Sequence, residues 1–144
     1  MIRDCWPVLL RQSTKQRMKD ECRPQELRSR TKQFSLRIIR LFAALPKTTE
    51  GQVLDKQLLR SGTSVGAHYR EATRARSDAE FISKLEAGLQ ELEESAYWME
   101  LLSESSIVVP ARLTELQTEA DELTAILITC VKNAKEKRRM KEEG

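Results

Sequence analysis

The chain has 144 residues, 40% hydrophobic and 33% charged, with a formal net charge of +3 at neutral pH. That length supports one hydrophobic core but not two, and no apolar run approaches the roughly 18 residues that a membrane span requires. Five Gly, four Pro and 5% aromatic residues leave Leu, Glu, Lys, Arg, Gln and Ala to dominate, so the expected class is all-α.

Charge divides the chain at once. From Met1 to Arg40 there are 11 Lys/Arg against 4 Asp/Glu, a balance of +7. Apolar periodicity begins only at Leu27, so residues 1–24 are expected to form a basic tail ahead of a domain over residues 25–137. "CWPVLL" near the start is too short for a secretory core. Cys5, Cys22 and Cys130 are odd in number and widely spaced; they fit neither a disulfide framework nor zinc spacing, and imply a reducing, cytoplasmic setting.

Leu27, Phe34, Ile38, Leu41, Phe42 and Leu45 recur at helical spacing and stop at Pro46, which a helix does not run through. After the connector "LPKTTEG", a second helix is expected from about Glu50 to Ala75. At 100° per residue, Leu54, Leu58, Ser61, Val65, His68 and Ala72 share one arc of it. Gly62 and Gly66 lie on an adjacent strip with Tyr69, while Arg60, Ser64 and Glu71 lie on the other flank. Glycine costs about 1 kcal/mol relative to alanine inside a helix, so two of them imply a neighbouring helix at close approach.

"SDAE", Ser77 to Glu80, has the form of a capping box and starts the third helix. Phe81, Leu85, Leu89, Leu92, Ala96 and Met99 form its core arc, and it carries eight acidic residues against the single Lys84. Ile82, Tyr97, Trp98 and Leu101 point away from that arc, which implies a second partner for this helix. Pro110 suits a first helical position, and Leu113, Leu116, Ala120, Leu123, Leu127 and Val131 carry a fourth helix to about Ala134. Residues 138–144 are expected to be a disordered charged end. Four amphipathic helices with short connections make an antiparallel up-down four-helix bundle.

The stretches "RTKQFSLRIIRLFAALP" and "KQLLRSGTSVGAHYREATRARSDAEFISKLEAGLQELEESAYWMELL" resemble the four-helix bundle proteins described as 23S rRNA intervening-sequence or S23-like proteins. The resemblance is strong from about Leu27 to Leu102 and weaker in the fourth helix. It implies a symmetric ring, a homopentamer with a central opening. It also implies kinship with the accessory variability protein of diversity-generating retroelements, a pentamer that engages a reverse transcriptase and its RNA. Two departures stand out: the family usually has Asn where this chain has His68, and family chains tend to begin nearer the first helix, which makes Met18 a plausible native start.

These residues support several functional readings. Ser61, Ser64, His68 and Glu71 read first as an internal polar network fixing helix register. A metal or catalytic role for His68 and Glu71 is disfavoured, because bundle metal sites repeat Glu-x-x-His and this chain has one histidine in the reverse order. Phosphate-loop and metalloprotease motifs are missing, so neither enzyme, metal nor cofactor is expected. Arg28, Arg30, Lys32, Arg37 and Arg40 on the first helix, with Arg60, Arg70, Arg74 and Arg76 around the second, form a basic half suited to phosphates of structured RNA or DNA. Gly62, Gly66, Tyr69, Tyr97, Trp98 and Leu101 are the expected oligomer interface. The alternative is a protein-interaction scaffold that uses the acidic third helix or the Tyr97 and Trp98 surface.

Overall fold

The computed structural model describes residues 23–144, and the expectations for the basic tail and for a start at Met18 fall outside them. The described residues form four helices: α1 (Pro24–Ala44), α2 (Thr49–Thr73), α3 (Asp78–Glu104) and α4 (Pro110–Glu143).

Local chemistry sets the boundaries. Proline opens α1 and α4, where its missing N–H costs no helical bond. The Thr48 hydroxyl caps α2 by accepting from the Gly51 amide at 3.2 Å. Ser77 caps α3 by accepting from the Glu80 amide at 3.1 Å, and the Glu80 carboxylate reaches back to the Arg76 amide at 2.9 Å. That is one residue beyond the Ser77 amide of the reciprocal box expected. Ser106, just past the end of α3, takes a left-handed φ of 61° and lets the Val108 amide close on the Leu102 carbonyl.

Consecutive helices run antiparallel. Ser35 meets Gly62 across α1 and α2, Ser61 meets Ser95 across α2 and α3, and Asp78 meets Lys141 across α3 and α4. The α2–α3 contact is the most extensive, while α1 and α4 meet sparsely. The core holds Phe34 and Ile38 of α1, Leu58 and Val65 of α2, Leu85, Leu92 and Met99 of α3, and Leu113, Leu123 and Leu127 of α4.

Three expectations need correction. In α3 the buried stripe runs Ile82, Leu85, Gly88, Leu92, Ser95, Met99 and Leu102. Ile82 therefore faces the core, because α2 and α4 flank α3 on two sides. Residues 138–144 are not a disordered end, since α4 continues to Glu143. Arg138 pairs with Glu142, Arg139 with Glu136 and Glu143, and Lys141 reaches Asp78 of α3 at 2.9 Å. Helical ion pairs and one tertiary anchor hold a segment whose composition alone reads as solvated. Cys130 is disulfide-bonded, against the expectation of unpaired thiols; odd number and wide spacing along the chain do not exclude a single bridge.

Candidate nucleic-acid interface

Small residues set the α1–α2 seam. Thr31 is buried, and its hydroxyl donates to the Leu27 carbonyl at 2.8 Å. The Ser35 hydroxyl donates across the seam to the Gly62 carbonyl at 3.2 Å. A methyl group at Gly66 would meet Thr31 Oγ1 at 3.4 Å, an ordinary contact, whereas one at Gly62 would collide with Ile38 Cδ1. Close approach is thus compulsory at Gly62 and only permitted at Gly66.

Outside this seam lies a groove with cations on its walls. One part, about 300 Å³, is lined by Lys32 and Arg70 with Ser35, Leu36, Thr63, Gly66 and Ala67. The adjoining part, about 420 Å³, shares Lys32 and Arg70 and adds Arg28 with Gln25, Ser29 and Gln33. Arg28, Lys32 and Arg70 have no ion-pair partner among the described residues. Three cations, flanked by amides and hydroxyls, therefore converge on one concave surface.

The other expected basic residues behave differently. Arg30 forms a two-pronged bond to Glu119, with Nε and Nη2 donating at 3.0 Å each, and a further bond to Glu122 at 2.8 Å. Those carboxylates raise the guanidinium pKa, the Glu119 hydrogen bond contributing most. Arg60 is held by Glu94 and Glu91 of α3, and its pKa is likewise raised, chiefly by Glu94. Both are committed to holding the bundle and do not belong to the groove. Arg74 follows Arg70 by one turn and is exposed, as are Arg76 and Arg40, while Arg37 is half-buried; none of the four lines the groove.

The expected polar network separates into pieces. The Ser95 hydroxyl donates to Ser61 Oγ at 2.8 Å in the α2–α3 core. Ser64 bonds back to the Arg60 carbonyl of its own helix at 2.7 Å. Glu71 pairs with Lys84 at 2.8 Å and with His68 Nδ1 at 3.4 Å. The Lys84 bond, then the His68 bond, holds the Glu71 carboxyl below its usual range. Ser64 and Glu71 lie too far round α2 to join Ser61, and His68 is only half-buried.

The expected oligomer interface separates too. Gly62, Gly66 and Tyr69 are buried within the chain, against α1, and Tyr69 Oη donates to the Pro24 carbonyl at 3.4 Å. Trp98 is half-buried, and its indole N–H donates to Glu94 at 3.1 Å. Tyr97 is 53% exposed beside it, with ring centroids 5.3 Å apart; Leu101 is half-buried.

Sequence reasoning passed over Thr31, Ser35 and Asp55. Asp55 is only 4% exposed, and its Oδ1 has no hydrogen-bond partner. Burial pushes its carboxyl above the usual range. Its position seven residues before Gly62, on the same helical face, is the signal that could have marked it as buried.

The model of the 23S rRNA-intervening sequence protein family matches residues 24–129. Among solved structures, a protein of unknown function from the S23 ribosomal protein family of Bacteroides thetaiotaomicron is 35% identical, with a TM-score of 0.71. The match covers 76% of this chain and 97% of that one. No curated protein matches the chain.

Proposed function

The chain belongs to the 23S rRNA-intervening sequence protein family, and on that premise we propose that it is a non-enzymatic adaptor that binds structured RNA through the α1–α2 groove. The observation that carries this reading is the convergence of Arg28, Lys32 and Arg70 without carboxylate partners among the described residues. Such cations can neutralise phosphates without first breaking an internal salt bridge. No aromatic ring lines the groove, so contacts go to phosphate and shape, and sequence preference is weak.

The homopentameric ring implied by the resemblance would repeat the groove five times about one axis and multiply its effect. That arrangement suits an accessory role beside a polymerase such as a reverse transcriptase. The exposed Tyr97 ring supports a second reading, a protein-contact surface on α3.

The test is affinity for a structured RNA across a salt series, using protein freed of co-purified nucleic acid. A steep loss of affinity with salt is expected. No binding at low salt would sink the RNA reading and favour a protein scaffold, to be pursued through Tyr97.

A further inference from the structure

The groove between α1 and α2 carries two kinds of polar group with opposite hydrogen-bonding sense. Gln25, Arg28, Ser29, Lys32 and Gln33 follow one another at the spacing of a single helical stripe on α1, and Arg70 joins them from α2. Their side chains bond to nothing among the described residues, and all can donate. Arg28 and Lys32 stand one turn apart, about 6 Å along the helix axis, and can therefore meet successive phosphates of one strand.

Ser35 and Thr63 are half-buried, whereas the donors are exposed. Ser35 Oγ donates to the Thr31 carbonyl at 3.1 Å and to the Gly62 carbonyl at 3.2 Å. Thr63 Oγ1 donates to the Leu59 carbonyl at 2.7 Å and to the Arg60 carbonyl at 3.2 Å. A hydroxyl has one proton and two lone pairs. With the proton held by the main chain, each oxygen offers the groove an acceptor only. A phosphate oxygen has no proton to give such an acceptor, so phosphate contacts alone leave both idle. The group beside a phosphate that does donate is the ribose 2′-hydroxyl, which DNA lacks. Gly66 and Ala67, which line the same part of the groove, leave the wall low enough for a sugar edge to approach.

We propose that Ser35 and Thr63 are the residues by which this chain tells RNA from DNA. Their oxygens accept from 2′-hydroxyls while Arg28, Lys32 and Arg70 hold the neighbouring phosphates. This specificity rests on the groove being an RNA site, as argued above, and names the groups that select the sugar.

The test compares hairpins of one sequence made as RNA, as 2′-fluoro RNA and as DNA, with affinity measured at fixed salt. The 2′-fluoro strand keeps A-form geometry but cannot donate. Two neutral hydrogen bonds set the expected preference for RNA over 2′-fluoro RNA at about 5- to 100-fold. Thr63→Val, which keeps the shape of the side chain, and Ser35→Ala should each bring that ratio several-fold closer to one. Both should retain the salt dependence set by the cations. Circular dichroism melts check that the variants fold, and Thr63→Val suffices if Ser35→Ala does not. Equal affinity of the wild type for RNA and 2′-fluoro RNA overturns the sugar contact while leaving the RNA reading intact. An unchanged ratio in folded Thr63→Val removes Thr63 from the assignment. No binding to any of the hairpins sinks the RNA reading and the sugar contact with it.

Discussion

Arg28 and Arg30 stand two residues apart on α1 and have opposite fates. Arg30 turns into the α1–α4 seam, where Glu119 and Glu122 hold it; Arg28 turns into the α1–α2 groove, where it meets Gln25, Lys32 and Arg70. The same contrast separates Arg60, bound to α3 carboxylates, from Arg70, ten residues further along α2. What distinguishes the two classes is the facing helix: α3 and α4 present acids, whereas the α1–α2 seam offers hydroxyls and glycine. A count of cations therefore cannot locate a phosphate site, because only those without an internal carboxylate are available to a ligand.

The largest expected effect tests this division directly. Replacing Arg28, Lys32 and Arg70 by Gln should weaken RNA binding by roughly 10- to 100-fold at moderate salt and flatten the salt dependence. Replacing Arg30 and Arg60 by Gln should leave affinity nearly unchanged and lower thermal stability. Equal losses of affinity in the two variants would erase the comparison.

The seam beneath the groove is the next point of attack. Gly62→Ala forces the Ile38 side chain to move and should destabilise the fold by about 1–2 kcal/mol, the overpacking cost exceeding the gain in helix propensity. Gly66→Ala should be neutral or stabilising by up to about 1 kcal/mol. Denaturant midpoints for the two variants, with Ile38→Val as a relief mutation for the first, decide whether one glycine alone is compulsory.

A smaller effect comes from converting a committed arginine into a free one. Glu119→Gln with Glu122→Gln should cost about 1 kcal/mol, since the pair is partly exposed and screened, and should raise RNA affinity slightly as Arg30 is released. Unchanged stability on thermal melting would mean that the fork is ornamental to the fold.

Asp55 supplies the smallest effect, with a defined pH dependence. Its folded-state pKa is raised by burial, so the folded chain holds a proton that the unfolded chain has released between the unfolded and folded pKa values. Stability therefore falls as pH rises through that window, and the penalty is absent below the ordinary Asp range. Asp55→Asn should be more stable than wild type at pH 7, by under about 1 kcal/mol because the amide also seeks partners. The two chains should converge on acidification. A difference that stays constant from pH 7 to acid melts would remove the carboxylate from the explanation.

Much of the bundle was legible because its signals are local. Periodicity marked all four helices, Pro46 and Pro110 marked boundaries, and "SDAE" marked the α3 cap. Tertiary facts escaped the same reading. The side of α3 that is buried depends on two flanking helices, so Ile82 was placed wrongly. The end of α4 is anchored by Asp78, more than sixty residues away. At the candidate site the basic residues were visible as types, yet Arg30 and Arg60 could be separated from Arg28, Lys32 and Arg70 only once the opposing carboxylates were in place. The glycines announced a close helix contact, but not that its partner is α1 of the same chain.

The sparse α1–α4 seam gives the molecule a fault line. α1 is joined along its length to α2, while its other side is fastened to α4 by the Arg30 fork and few contacts besides. The first helix is therefore the element that can lift away while the α2–α3 pair stays packed. Its amides would exchange with solvent through partial opening, long before those of the central pair.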